Sequence, residues 1–361
     1  MAKKIKLFDL ISGIEEERAL NKVLKSHFWA SGAGTGNVLQ FENEFRKYVG
    51  SKDCIALNSG TAALNLALSL IDIKNKEVIL PSLSFVATAN AVVLNGGKPV
   101  FVDVDPRTLC IDPDQIKKSI SKRTKAVLPV HFGGMPCNLS EIMKICNEHN
   151  LTLFEDAAHA AGASYKNKKI GSHGMAVCFS FHPVKNLAMP TGGLISINHQ
   201  NHKKLRKTLL ARRWCGITNR KNDSYDVQEI GWNYYMNEFS AAIGLAQLKK
   251  LNATNKIRKS IANRYHKEIN LENKMPFDKN CVYHFYWILV KNREKLRKNM
   301  RHLGIETGTH YRPIHTFSFY KPTRKLLVTE KAGKEIVTIP THPNLTDDDV
   351  DQIINLINKL S

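Results

Sequence analysis

The sequence predicts an α/β protein, with a large domain built on a mostly parallel sheet and a smaller α/β domain at its C-terminal end. Three observations carry this. From Lys76 to Asn198 short apolar runs alternate with helical segments, the pattern of a parallel sheet covered by helices on both faces. From Met236 to Ile269 the chain reads as one long helical stretch, with Ala241, Leu245 and Leu248 on one stripe, suited to connect two domains. A chain of 361 residues exceeds one typical domain and suits a large one plus a small one. The division is placed at residues 1–245 and 246–361.

The elements follow in chain order. Strands are expected over Val78–Pro81, Pro99–Val104, Ala126–His131, Thr152–Asp156, Val177–Phe181 and Gly193–Ile197. Each is short, apolar and bounded by turn residues. Helices are expected over Phe85–Leu94, Pro113–Ser121 and Leu139–His149. The second domain is expected to hold a strand at Tyr283–Val290, a basic helix at Lys291–Leu303 and a last helix opened by Thr346-Asp347-Asp348-Asp349. Acids there suit the positive end of the helix dipole.

Composition excludes several classes. Seven scattered cysteines, without a C-x-x-C, argue against a disulfide framework or a zinc site and for a reducing cytoplasm. No metal site is expected. The first residues are basic, but the apolar run breaks at Asp9 and meets Glu15-Glu16-Glu17, which makes a poor signal peptide. The longest apolar region, Val78 to Leu94, is interrupted by Pro81, Ser82, Ser84, Thr88 and Asn90, so no membrane span is expected. The formal net charge is +21. Lys203 to Lys221 carries eight basic residues and no acid. These basics lie at helical spacing without interleaved aromatics, so they read as a solvated surface rather than a nucleic-acid platform. A basic surface also favours an anionic substrate.

Four segments carry chemistry. Asn58-Ser59-Gly60-Thr61-Ala62-Ala63-Leu64 opens an apolar helix with small and hydroxyl residues. That makes an anion site suited to a phosphate, or an ordinary helix cap. Phe85, in Ser84-Phe85-Val86-Ala87-Thr88, is placed to stack on a flat ring or to enter the core. Asp156 ends an apolar strand, and Lys185 lies on a loop between the Val177–Phe181 strand and the Gly192-Gly193 turn. A confined lysine and a strand-end aspartate are what a pyridoxal phosphate (PLP) enzyme needs. The lysine binds the aldehyde as a Schiff base, and the acid keeps the pyridine nitrogen protonated. A desolvated amine has the lowered pKa that this exchange needs. Ser31-Gly32-Ala33-Gly34-Thr35-Gly36 mimics a dinucleotide loop but has the wrong spacing and no preceding strand, so a flexible loop touching substrate is expected.

Together these segments resemble the DegT/DnrJ/EryC1/StrS family of PLP-dependent sugar aminotransferases, of fold type I. The resemblance also includes Phe41-Glu42-Asn43-Glu44-Phe45, Val102-Asp103-Val104-Asp105, Pro129-Val130-His131, Gly231-Trp232-Asn233-Tyr234, His310-Tyr311-Arg312-Pro313-Ile314-His315 and Ile339-Pro340-Thr341-His342-Pro343. It implies a seven-stranded sheet in the large domain. Lys185 would be the Schiff-base lysine and Asp156 the pyridine partner. Ser59, Gly60, Thr61 and Ser180 would hold the phosphate. Phe85 and Ala158 would sandwich the ring, and His159 would approach its hydroxyl. Asn233 would reach the neighbouring subunit's cofactor, making a homodimer with shared sites. Trp29, Ser31, Tyr311 and His315 would contact the sugar or its nucleotide.

The implied reaction moves an amino group from L-glutamate to a nucleotide-diphosphate-linked keto-sugar, with PLP cycling through pyridoxamine phosphate. Three positions depart from the family pattern. Pro190-Thr191 stands where Gly-Glu usually precedes the double glycine, Tyr235 where an arginine usually follows Asn-Tyr, and Cys215 where a histidine is usual. They bear on substrate and donor contacts. Two other readings stay open: a basic binding or regulatory protein that keeps a PLP fold without turnover, and a PLP enzyme acting on a non-sugar substrate. Histidine replaces the lysine in a dehydrating branch of the family, and Lys185 argues against that branch.

Overall fold

The computed structural model describes residues 4–221, 223–320 and 324–360. The chain opens with helices α1 (Ile14–Ser26) and α2 (Gly36–Val49), strand β1 (Asp53–Leu57) and helix α3 (Gly60–Leu68). The alternation continues through β2 (Glu77–Pro81), α4 (Ala87–Leu94), β3 (Lys98–Val102), α5 (Pro113–Lys117), β4 (Thr124–Val127), α6 (Leu139–Glu148) and β5 (Thr152–Asp156). A small hairpin, β6 (Ser164–Tyr165) and β7 (Lys168–Lys169), leads to β8 (Ala176–Ser180) and β9 (Gly193–Ile197). Helix α7 (His202–Arg213) and the hairpin β10 (Ile217–Lys221) and β11 (Ser224–Val227) follow.

The main sheet has seven strands in the order β1-β9-β8-β5-β4-β2-β3. Neighbours from β8 to β3 are parallel, while β9 pairs antiparallel with both β1 and β8. Only β9 therefore runs backward. Strands β2 and β9 are buried along their whole length, which is why they read as mostly apolar, with Glu77 and Ser196 the polar exceptions. Successive residues face opposite layers. Val177 and Phe179 of β8 join one core cluster, and Ala176 and Cys178 join the other.

Side-chain caps set several helix starts. The Ser59 hydroxyl accepts from the Ala62 N–H at 3.1 Å, and Asn138 Oδ1 from the Glu141 N–H at 3.4 Å. Such caps satisfy donors that have no carbonyl within the helix. The expected helix at Pro113–Ser121 ends early, at Lys117, and the expected strand at Ala126–His131 leaves the ladder after Val127. Beyond that point the chain is held by single backbone bonds such as Leu128 N–H to Ile79 O at 2.8 Å, and Val130 bridges Asp156.

A long helix, α8 (Glu238–Glu268), carries the chain onward to β12 (Tyr286–Leu289), α9 (Arg293–His302), α10 (Leu327–Glu335), β13 (Ile336–Ile339) and α11 (Asp347–Leu360). β12 and β13 form a separate antiparallel pair. Helix α9 is basic outside but buries Leu296 and Met300. The proposed division at residue 245 falls inside the unbroken α8. Residues near the N-terminus return to the smaller part: Ile5 bridges Ile305, and Leu7 N–H donates to Glu306. Among the described residues no helix is long and apolar enough to cross a membrane.

A buried ionic cluster ties α2, β1 and α7 together. Glu42 lies 2.9 Å from both Arg213 Nη1 and Arg206 Nη2, and Arg206 Nη1 lies 2.9 Å from Asp53. The Arg213 and Glu42 side chains are 0% and 2% exposed. Removing one member strands the other charge away from water. Glu42→Ala is expected to lower stability by about 3–5 kcal/mol, read as a lower denaturant midpoint.

Candidate active site

The strand order brings several chain segments to one edge of the sheet. Leu57, Asp156 and Ser180 end strands β1, β5 and β8 there, and Gly193 begins β9 opposite Leu57 and Ser180. Functional residues gather at such carboxyl ends because the loops there are free to vary. A cavity of about 410 Å³ opens at this edge. Its lining includes Ser59, Gly60, Thr61, Phe85, Asp156 and Ala158, together with His159, Ser180, Lys185 and Tyr311. The sequence motifs, far apart in the chain, share one space.

Asp156 is buried. Its Oδ1 accepts from the Ala158 N–H at 3.1 Å, and its Oδ2 from the Thr88 hydroxyl at 2.9 Å. Its main chain is held by Pro129 O and by the His131 N–H, at 2.9 and 3.0 Å. Burial raises its pKa, against the opposing pull of these hydrogen bonds and of the Lys185 charge. A carboxylate so placed gains from a cation or an N–H donor arriving in the cavity.

The Lys185 loop is closed by Phe181 N–H to Gly192 O and Met189 N–H to Phe181 O, both at 2.8 Å. Phe181, Leu187 and Met189 anchor it in the core. The amine makes no hydrogen bond or ion pair among the described residues. Burial brings its pKa down to about 8, although the Asp156 charge works the other way. An ordinary lysine titrates about two units higher, so this one has a sizeable neutral fraction near neutrality.

The N–H groups of Gly60 and Thr61 belong to the first turn of α3, where no carbonyl of the helix can accept them. Glycine is required twice around this turn. A Cβ on Gly60 would sit 2.6 Å from the Ser180 Cβ, and one on Gly193 would sit 2.1 Å from the Ser59 carbonyl oxygen. The helix start and strands β8 and β9 are therefore packed backbone to backbone. Gly193→Ala is expected to push the α3 N-terminus aside and weaken PLP binding by about tenfold or more, the loss of one good hydrogen bond, measured by equilibrium dialysis.

These residues fit PLP. A helix N-terminus with the Thr61 and Ser180 hydroxyls suits a phosphate, a buried acid suits the ring nitrogen, a free amine suits the aldehyde, and Phe85 offers an aromatic face.

Four expected contacts lie outside the cavity lined by one chain. Trp29 is 49% exposed, packs edge-on against Phe239 and donates to Leu24 O at 3.4 Å. Ser31 closes a turn through its carbonyl, which accepts from Gly34 N–H at 2.9 Å. His315 is buried, 2.6 Å from the Ser82 hydroxyl and 3.4 Å from Glu330, and ties its loop to α10. Asn233 is exposed on the other side of the α3 start, where its carbonyl accepts from Asn58 Nδ2 at 3.3 Å. The glycines around Ser31 serve close packing: a Cβ on Gly32 would lie 2.0 Å from the Trp214 ring, and one on Gly34 2.2 Å from Arg213 Nη2. That loop is pinned by its neighbours rather than loose.

Sequence reasoning missed Thr88, His182, Thr191 and His310, which also line the cavity. Thr88 falls within a quoted motif, one turn beyond Ser84, whose hydroxyl lies 2.8 Å from its own; that spacing was the available signal. Thr191, one of the departures, donates to the Asn58 carbonyl at the cavity edge.

The family model for the DegT/DnrJ/EryC1/StrS aminotransferase family matches residues 11–358. The chain is 37% identical to the uncharacterized protein MJ1066 of Methanocaldococcus jannaschii, over 96% of this chain and 95% of that one. Among solved structures it is similar to Helicobacter pylori PseC, an aminotransferase involved in the biosynthesis of pseudoaminic acid. That match has a TM-score of 0.93 and 28% identity, covering 99% of both chains. It is also similar to the sugar aminotransferase CalS13 of Micromonospora echinospora, with a TM-score of 0.91 and 27% identity, covering 98% and 99% of the two chains.

Proposed function

We propose that this protein, which belongs to the DegT/DnrJ/EryC1/StrS aminotransferase family and is a PLP-dependent sugar aminotransferase of fold type I, moves the amino group of L-glutamate to a nucleotide-linked keto-sugar. The products are 2-oxoglutarate and an amino sugar destined for a polysaccharide, another glycan or a secondary metabolite. The observation that carries this is the shared cavity of Lys185, Asp156 and the α3 N-terminus.

When bound, PLP supplies an aldehyde that takes up an amine and a ring that accepts the electron pair released at the adjacent carbon. The chain's residues do the rest. Lys185 anchors the cofactor and, once free, its Nζ takes the proton from the glutamate α-carbon and later returns one to the sugar carbon. Asp156 would pair with the ring nitrogen, and its carboxylate would favour the protonated ring. The Gly60 and Thr61 N–H groups, with the Thr61 and Ser180 hydroxyls, hold the phosphate and so fix the aldehyde near Lys185. Phe85 and Ala158 would cover the two ring faces.

The active unit is proposed to be a homodimer in which the partner subunit's Asn233 completes the phosphate site. The exposed position of Asn233 supports this. All seven cysteines are free, and six are buried, which supports a cytoplasmic setting.

The test is a coupled assay. PLP-loaded protein is given L-glutamate and a panel of nucleotide-linked keto-sugars, and 2-oxoglutarate is measured. Sugar-dependent 2-oxoglutarate is expected. If glutamate alone changes the cofactor spectrum but no sugar turns over, the sugar assignment fails. If glutamate has no effect, the donor assignment fails.

A further inference from the structure

A stack of rings leads from the N-terminal segment into the cavity. Phe8 lies on His284 (centroids 5.2 Å), His284 on His159 (4.6 Å), and His159 on Tyr311 (6.0 Å), with interplanar angles of 16°, 26° and 15°. The hydrogen bonds around the two imidazoles determine where each proton sits.

The Gly133 peptide is held from both sides. Its carbonyl accepts from the His284 N–H at 2.9 Å, and its N–H donates to His159 Nδ1 at 3.3 Å. Gly133 has φ of 63°, and a Cβ there would meet the Phe285 ring at 3.0 Å, so this donor has little room to turn. An N–H can only donate, so Nδ1 of His159 must accept. Burial, with the positive charges of Lys185 and His310, pushes the His159 pKa well below its ordinary value. The ring is therefore neutral and carries its one proton on Nε2. Nε2 lies 3.1 Å from the Tyr311 hydroxyl. The contact is then N–H to oxygen, and Tyr311 accepts.

His284 is fixed by the same logic. Asn186 Nδ2 donates to Asn255 Oδ1 at 2.9 Å and to Val282 O at 3.0 Å, so its Oδ1 is left to accept from His284 Nδ1 at 3.3 Å.

With one lone pair of its oxygen taken by His159, Tyr311 has its own proton to place. Among the described residues no acceptor for it is present. Burial and the Asp156 charge raise the Tyr311 pKa, so the proton stays on. A partly buried donor left without a partner is costly and favours a ligand that supplies one.

We propose that Tyr311 donates a hydrogen bond to an oxygen acceptor bound in the cavity, and that His159, held in one tautomer by Gly133, is the positioning residue that aims it. The proposal rests on the functional reading above only for the source of that oxygen, which is the ring oxygen of the cofactor or an oxygen of the sugar.

The test has two parts. The first is nitrogen NMR of the protein with labelled histidine, without substrate. His159 is expected to show a bare Nδ1 and a protonated Nε2, unchanged between about pH 6 and 8. A protonated Nδ1, or titration in that range, overturns the proposal. The second compares Tyr311→Phe, His159→Gln and His159→Leu. If the acceptor is on the cofactor, Tyr311→Phe weakens PLP binding about tenfold and shifts its visible band before any substrate is added. If it is on the sugar, PLP binding and the glutamate half-reaction are untouched and the sugar half-reaction loses about tenfold. Glutamine keeps an N–H donor toward Tyr311, so His159→Gln is expected to lose less than His159→Leu, which reproduces the Tyr311→Phe defect. No effect of Tyr311→Phe on either partner overturns the proposal, as does a His159→Leu enzyme that matches wild type. If no sugar turns over at all, the NMR and PLP-binding results still stand or fall alone, so failure of the functional reading is seen separately.

Discussion

Lys185→Ala is expected to abolish turnover while leaving the fold intact. The side chain points from a loop anchored by Phe181, Leu187 and Met189, none of which the substitution touches. Two losses combine. The cofactor has no amine to hold its aldehyde, and no base stands by the reacting carbon. Loss of a positioned general base alone costs about 10²–10⁴ in rate. The visible band of lysine-bound PLP is expected to be absent, and added L-glutamate is expected to give no lasting cycle. A pH series on the wild type gives an independent check. Attachment needs the neutral amine. Its fraction grows as pH rises through the folded pKa of about 8, not through the ordinary lysine value. The rate at which PLP attaches to the apoprotein should therefore rise up to about pH 8 and level off above it. Attachment that keeps climbing toward pH 10 would show that Lys185 is not desolvated.

Asp156→Asn is the second large effect, and it separates charge from shape. Asparagine still accepts from the Ala158 N–H, and its amide can meet the Thr88 hydroxyl, so PLP binding should change little. What is lost is the negative charge that holds the ring nitrogen protonated. Removing one preorganised electrostatic group from a dry site costs about 10²–10³ in rate. The expected signature is a spectrum close to wild type, a glutamate half-reaction slowed by that factor, and little change in stability. If stability falls and the rate survives, Asp156 is a strand-end residue and no more.

Much of the frame was legible because burial on both faces of a parallel sheet forces continuous apolar runs. Thr152–Asp156 and Gly193–Ile197 stand where those runs predict them. β1 escaped notice because Asp53–Leu57 is a short run merging into the helix that follows, and only its pairing with β9 makes it a strand. Hairpin β10–β11 escaped for the opposite reason. It has no buried face, so Ile217–Lys221 shows no alternation and reads as part of the basic surface. The same division holds at the site. Lys185, Asp156 and the Ser59–Thr61 turn announce themselves through residue types whose chemistry is scarce. His284 does not: a histidine between Tyr283 and Phe285 looks like part of an aromatic strand, and its place behind His159 follows from folding alone.

The backward course of β9 has a mechanical consequence. A chain leaving a parallel strand ordinarily crosses a whole face of the sheet before it returns. Here one loop, residues 181–192, brings it straight back to the neighbouring place in the sheet, closed by the bond from Phe181 N–H to Gly192 O. The strand that ends in Asp156 and the strand that leads into the Lys185 loop are therefore neighbours in one ladder, about 4.8 Å apart, with Asp156 in register with Cys178. Tyr311 comes instead from the far side of the long helix. Its segment is tied back to the sheet side by Ile314 N–H to Ser82 O at 2.8 Å. The strand ladder thus sets the acid and the lysine loop side by side, and a separate loop supplies the tyrosine wall.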